Sequence, residues 1–216
     1  MKIAILTSKN QWFENYVLQL SKELNSANIY KNHNDIQENY DVVFILSYHQ
    51  IIPQETLEKN RHNIVIHESF LPIGKGWAPL FWQVLEGKSK IPFTMIEAGE
   101  KTDNGDIYMQ EILELTDYEL NEELREKQAE MIIQMCLEFV NNYEKHKTPT
   151  KQRGVESFYE KRNKEDSKLD IDQTIRNQFN LLRVVNNRNY PAYFELNGNR
   201  YVLKIELDTS ERDKVD

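Results

Sequence analysis

A single cysteine, Cys136, is present in 216 residues, so no internal disulfide can form. That scarcity suits a reducing compartment. No apolar run approaches the ~18–20 residues needed to cross a bilayer. The apolar opening Ile3-Ala4-Ile5-Leu6 is short and gives way to Thr7-Ser8-Lys9-Asn10, with no cleavage site of the secretory kind. A cytoplasmic protein with no membrane partner is therefore expected. Positive charge is also in deficit, with 27 Lys and Arg against 35 Asp and Glu, a net charge of −8 and a pI near 5.3. Neutralising phosphates requires clustered Lys and Arg, so no nucleic-acid partner is expected. There is no Cys/His spacing suited to a metal, no internal repeat and no low-complexity tract.

Hydrophobic residues make up 39% and aromatic residues 11% of the chain, enough for a folded core. Lys2 to Thr7 reads as a buried parallel strand. Gln11 to Leu24 follows as a crossover helix, with Phe13, Val17, Leu18 and Leu24 near helical spacing. Asn28 to Tyr30 and Asp41 to Leu46 read as strands, 53–58 as a short helix opened by Pro53, and Asn63 to His67 as a further strand. Pro79 to Leu85 is helical, and Ile91 to Glu97 and Asp106 to Leu115 are extended. Glu119 to Tyr143 is the longest helix, capped by Asp117. This alternation predicts an α/β fold with a mostly parallel sheet.

Residues 1–146 are expected to form the catalytic domain, 147–168 a polar linker, and 169–216 a small helix and β-hairpin unit. The helix of that unit falls around Ile171 to Val185. Its hairpin joins Ala192–Leu196 to Arg200–Ile205 through Asn197-Gly198, a type I′ turn signal. The tail Thr209 to Asp216 is polar and expected to fray.

In open α/β sheets ligands bind beyond the carboxyl ends of the strands. Two such ends carry polar groups here, Ser47-Tyr48-His49 and His67-Glu68-Ser69. A strand-end histidine can equally satisfy a loop hydrogen bond, and Asp103-Asn104-Gly105 is by itself an ordinary turn. Taken together the two segments carry more. His67-Glu68-Ser69-Phe70-Leu71-Pro72-Ile73-Gly74-Lys75-Gly76-Trp77-Ala78-Pro79, followed by Asp103-Asn104-Gly105-Asp106-Ile107, resembles the formyltransferase family that uses 10-formyltetrahydrofolate. The resemblance covers Lys2 to Tyr143 and implies a Rossmann-like fold, with His67 and Asp103 as the catalytic pair.

The chemistry that the resemblance implies needs those residue types. An amine attacks the formyl carbon, and the tetrahedral intermediate carries an oxyanion. His67 stabilises that charge or takes the amine proton, and Asp103 orients the ring and passes a proton through water to the departing folate nitrogen. The family's Asn, two residues before the His, is Val65 here. Asn63 shares the face of His67 by strand alternation but lies about 6.6 Å further back; it is kept as a third catalytic candidate.

By the same resemblance, folate contacts fall to Tyr48, Ile51, Ile52, Pro53, Ser69, Leu71, Pro72 and Glu97. For Ile51, Ile52 and Leu71 ordinary core packing is the competing reading. Glu68, Lys75 and Trp77 flank the acceptor entrance. Arg183 and Tyr193, in segments similar to C-terminal regions of sugar-modifying members, complete the substrate contacts. Trp82 and Cys136 are read as core.

The expected acceptor is the amine of a nucleotide-linked 4-amino-deoxy sugar. A UDP-linked sugar of the pseudaminic acid type is preferred, with a dTDP-linked sugar as second choice. Alternatives are a methionyl-tRNA formyltransferase and a non-catalytic folate-binding protein, the latter prompted by Val65. The exposed hairpin edge suggests a possible homodimer.

Overall fold

The apolar runs Ile3–Leu6 (β1) and Val42–Ile45 (β3) are buried at every position, as strands covered on both faces must be. In the computed structural model, which describes residues 1–208, they pair in parallel within a six-stranded sheet. The other strands of this sheet are β2 (Asn28–Tyr30), β4 (His62–His67), β6 (Lys90–Glu97) and β7 (Ile107–Glu114), in the order β2-β1-β3-β4-β6-β7. The first four are parallel, and β6 runs antiparallel to both of its neighbours. The mixed α/β, mostly parallel architecture matches the expectation. A separate two-residue pair joins β5 (Lys75–Gly76) to β8 (Phe158–Tyr159), and β9 (Ala192–Leu196) with β10 (Asn199–Leu203) makes the hairpin. Asn197 and Gly198 at its tip have φ of 50° and 77°, as a type I′ turn requires.

The helices are α1 (Glu14–Glu23), α2 (Gln54–Leu57), α3 (Pro79–Leu85), α4 (Asn121–Asn141), α5 (Tyr143–His146) and α6 (Phe179–Val184). Along α1 and its flanks Phe13, Val17, Leu20 and Leu24 are buried, a spacing that follows one helical stripe. Leu18, expected to join them, is next to Val17 on the helix and faces solvent. One sheet face packs against α1, α3 and α4 through Val42, Phe44, Ile64 and Ile66. The other carries Ala4, Leu6, Val43 and Ile45 against Ile36, Tyr40 and Leu57. Alternation thus sends Ile64 and Ile66 to the first face, and Val65 and His67 to the second.

Several expectations need correction. Helix α4 is capped at Leu120, whose N–H donates to Glu123 at 2.9 Å, and not at Asp117. The helix foreseen over 171–185 is reduced to a 3-10 turn at Arg176–Gln178 followed by α6, and Ile171 and Ile175 ahead of them are exposed. Trp82 is half-buried and outside the core; its ring stacks on Tyr159 at 6.0 Å, and its Nε1 donates to Glu160 O at 2.9 Å. Residues 147–168 are not a free linker. Thr150 exchanges backbone bonds with Ile107, β8 pairs with β5, and Ser167 is buried. That segment is a strap, hydrogen-bonded to the body of the protein, with Val155 and Phe158 exposed along it. The polar tail, 209–216, lies outside the described residues. No helix among those described is long and apolar enough to cross a membrane.

The Phe139 ring stands at the crossing of α4 and the sheet, edge-on to Phe44 at 6.3 Å and Tyr108 at 5.2 Å. Phe139→Ala is expected to cost about 3–5 kcal/mol in urea denaturation, whereas Leu18→Ala stays within about 0.5 kcal/mol.

Candidate active site

The sheet order reverses between β1 and β3, and the loops after these strands meet there. Ser8 N donates to Ser47 O at 3.4 Å, and His49 N donates to Ser8 Oγ at 3.2 Å. His67 is the last residue of the next strand, β4, at the same carboxyl edge. Its buried ring is bonded at one nitrogen and faced at the other: Nε2 lies 2.9 Å from Gly74 O, and Nδ1 lies 3.5 Å from Asp103 Oδ1. A carbonyl oxygen only accepts, so Nε2 carries a proton. In the neutral ring, Nδ1 then presents its lone pair to a carboxylate. A proton arriving at Nδ1 turns this loose contact between two acceptors into an ion pair, which suits a base that is to be charged during a reaction.

Asp103 reaches His67 because β6 runs downward and the chain returns across the second sheet face. Gly105 makes the return possible: a Cβ there would lie 1.6 Å from Glu97 O. Asp103 itself is left-handed, with φ 57°, a conformation that Asp tolerates better than most residues. Its Oδ2 accepts from Gly76 N at 2.9 Å. Gly76 has φ 98°, and a Cβ on it would lie 2.4 Å from Tyr159 O. The turn after β4 is pinned by Thr94 Oγ1, which donates to Ser69 O at 2.6 Å.

On the same face as His67, Tyr48, Ile52, Val65 and Ala98 are half-buried around the apolar cluster beneath. Ser69 Oγ and Thr7 Oγ1 are buried without a hydrogen-bond partner. Half-buried apolar side chains can form a wall for a flat heterocycle, and an unsatisfied hydroxyl can meet a polar edge. Ile51 is 87% exposed and Leu71 is 2% exposed, so the first is not core and the second is. Pro72 is buried in the turn after β4, and Pro53 is exposed at the start of α2. The Tyr48 hydroxyl is shared among His33 N, His33 Nδ1 and Gln50.

Six expected contacts are placed otherwise. Asn63 sits near the opposite end of β4, with its amide donating to Leu57 O at 2.9 Å and to Glu97 at 3.3 Å; it does not replace the missing Asn. The Glu97 carboxylate accepts from Asn63 N and Tyr108 OH on the neighbouring strands. The Glu68 side chain turns to the α4 side and accepts from Gln128 at 2.5 Å. Lys75 is buried, with its ammonium on Asn104 and on Glu156 at 2.6 Å, so it ties the strap to the Asp103 loop and does not line an entrance. Arg183 is buried against Glu119 at 3.1 Å and Thr116 O at 2.8 Å. Tyr193 OH bonds Glu165 and so ties the hairpin to the strap. Trp77 remains half-exposed, near-parallel to His49 at 6.4 Å, with Lys161 Nζ 4.6 Å from its ring centre.

Two groups went unnoticed in the sequence. Gln152 on the strap bonds the Asp103 loop, and nothing in its polar neighbourhood distinguishes it. Arg125 on α4 lies between Trp12 and Phe81, 4.6 and 4.4 Å from their ring centres. Burial pushes its guanidinium down to about 10, against the pull of Glu68.

The family description "Formyl transferase" matches residues 13–140. The methionyl-tRNA formyltransferase of Fusobacterium nucleatum is 28% identical over 181 residues, 81% of this chain and 56% of that one. The chain thus spans about half the length of the curated relatives it matches. Among solved structures, methionyl-tRNA formyltransferase from Clostridium thermocellum superposes with a TM-score of 0.78 at 20% identity, over 97% of this chain and 95% of that one. A 4-N formyltransferase from Francisella tularensis gives 0.68 at 22%, over 96% and 98%. HypX from Aquifex aeolicus, in complex with tetrahydrofolic acid, gives 0.75 at 19%, over 95% and 37%. At these identities the structural likenesses show the fold.

Burial raises the Glu97 carboxyl above the usual carboxylate range despite the bonds it accepts. The folded chain therefore holds this proton to higher pH than the unfolded chain does, and stability falls as pH rises from the unfolded to the folded value. Glu97→Gln removes that loss. Its Tm should lie closest to wild type in acid and exceed it as pH rises toward 8, read by calorimetry.

Proposed function

We infer the activity from membership: the chain belongs to the formyl transferase family, and we propose that it moves a formyl group from 10-formyltetrahydrofolate to the amine of a nucleotide-linked 4-amino-deoxy sugar. The observation that carries this reading is the buried His67–Asp103 pair at the carboxyl end of β4, oriented by Gly74 O and Gly76 N. The half-buried apolar side chains of Tyr48, Ile52, Val65 and Ala98 offer a surface for the pterin, and the unpartnered Ser69 Oγ a polar contact.

The amine nitrogen bonds to the formyl carbon, and its proton passes to His67 Nδ1 as the oxyanion forms. Asp103 stabilises the imidazolium. Collapse of the intermediate breaks the bond to the folate nitrogen, which receives the proton through water. Val65 brings no donor to the oxyanion, so imidazolium charge carries more of its stabilisation than in a site with an added amide. A half-exposed Trp77 beside Lys161 suits a sugar or base and its phosphates.

The net charge of −8 and the likeness to the Francisella 4-N formyltransferase support a sugar acceptor. A UDP-linked sugar of the pseudaminic acid type is the first choice and a dTDP-linked sugar the second. The names of the curated relatives favour a second reading, transfer to methionyl-tRNA.

Purified protein supplied with 10-formyltetrahydrofolate and a panel of UDP- and dTDP-linked 4-amino sugars should yield a formylated sugar by mass spectrometry. His67→Ala and Asp103→Ala should each lower kcat by about 10²–10⁴. A product only in a charged initiator tRNA reaction would establish the second reading. Folate binding without any product would point to a non-catalytic binding protein.

The outer edge of β10 is exposed at Tyr201 and Val202, which supports a homodimer through the hairpin. Light scattering at micromolar concentration should read twice the 25.8 kDa chain mass, and a monomer would sink the idea.

A further inference from the structure

The strap contributes nothing to the reacting pair, yet one of its side chains holds the backbone from which Asp103 projects. Gln152 Nε2 donates to Asp103 O at 2.9 Å and to Gly105 O at 2.8 Å, spanning the turn in which Asp103 is left-handed. Both amide hydrogens are consumed, and Gln152 Oε1 is buried with no partner. Rotating the amide would set that oxygen against two carbonyl oxygens, so its orientation is determined although an acceptor stays orphaned. The position of Gln152 is itself imposed, because Thr150, two residues earlier, is locked to Ile107 by bonds of 2.7 and 2.8 Å. Lys75, bonded to Asn104 and Glu156, ties the next residue of the same turn to the same strap.

We propose that Gln152 is a positioning residue for catalysis, clamping the Asp103 turn so that one carboxylate oxygen meets Gly76 N–H and the other faces His67 Nδ1. The proposal rests on the reading of His67 and Asp103 as the reacting pair. Without the clamp the turn relaxes toward ordinary φ, and the carboxylate leaves the ring. The substrates lose no contact. The effect therefore falls on kcat and spares KM.

The test uses the full chain carrying Gln152→Ala, Gln152→Asn or Gln152→Glu. Gln152→Ala should lower kcat about tenfold with both KM values within twofold, and Gln152→Glu, which sets a carboxylate against two carbonyls, should lower it further. Gln152→Asn keeps both donors on a shorter arm and should recover part of the loss. A second readout does not depend on turnover: the NMR titration of His67 Cε1–H, with Lys75 and Glu156, the ion pair that ties Asn104 to the strap, and the loop charges Glu100, Lys101 and Asp106 left intact. Gln152→Ala should displace the His67 midpoint in the direction that Asp103→Asn does. A midpoint unchanged from wild type would overturn the clamp, as would a kcat within twofold of an active wild type. Should the Ala variant fail to fold, the Asn variant carries both measurements. A displaced midpoint in a chain whose wild type transfers no formyl group would uphold the clamp and remove the proposed reaction.

Discussion

The amide of Gly76 donates to one oxygen of Asp103 while the other oxygen faces the ring of His67, and most of the carboxyl edge is arranged to keep that contact. Gly76 lies where a side chain would strike Tyr159 O, so the β5–β8 pair closes only on a glycine. The pair closes because Lys75 N bonds Ser157 O at 2.9 Å and Trp77 N bonds Tyr159 O at 3.1 Å. Tyr159 is held in turn by its stack on Trp82 and by Glu86 at 2.9 Å. A carboxylate on one loop is thus oriented by the turn after β4, and that turn by a strap about eighty residues further along the chain.

The sheet separates two kinds of work. His67 and Val65 look toward the second face, with its half-buried apolar side chains, while Ile64 and Ile66 build the larger core on the first. Glu68, one residue past the histidine, already belongs to the α4 side through Gln128. The polar clusters at the lower end of β4 are of another kind. There His62 bonds Tyr108 at 2.8 Å and Tyr143 at 2.9 Å, and Asn63 supports Glu97, so buried polar groups satisfy one another and rigidify the packing.

What was legible in the chain followed from local chemistry. Continuous apolar runs marked β1 and β3, a β-branched run ending in histidine marked β4, and Asp-Asn-Gly marked the turn of Asp103. What misled was the pairing of charges across long distances. Lys75 and Arg183 looked like substrate handles because their carboxylates, Glu156 and Glu119, lie 81 and 64 residues away in sequence. Asn63 shares the face of His67, as alternation requires, but a shared face says nothing about which end of the strand a site occupies. The strap escaped notice because its strand is two residues long and its composition is that of a solvated segment. Gln152 shows its role only when the carbonyls it bridges are in place.

The order of the strap in the chain also bears on synthesis. His67 and Asp103 both leave the ribosome well before Thr150 to Tyr159, and chains grow at ~5–20 residues per second. For an interval of several seconds the sheet can assemble while the Asp103 turn lacks Gln152 and the Gly76 turn lacks Tyr159. All six strands of the sheet are therefore made before the strap that sets the working geometry. The reacting pair is set only when the last third of the chain folds back over it.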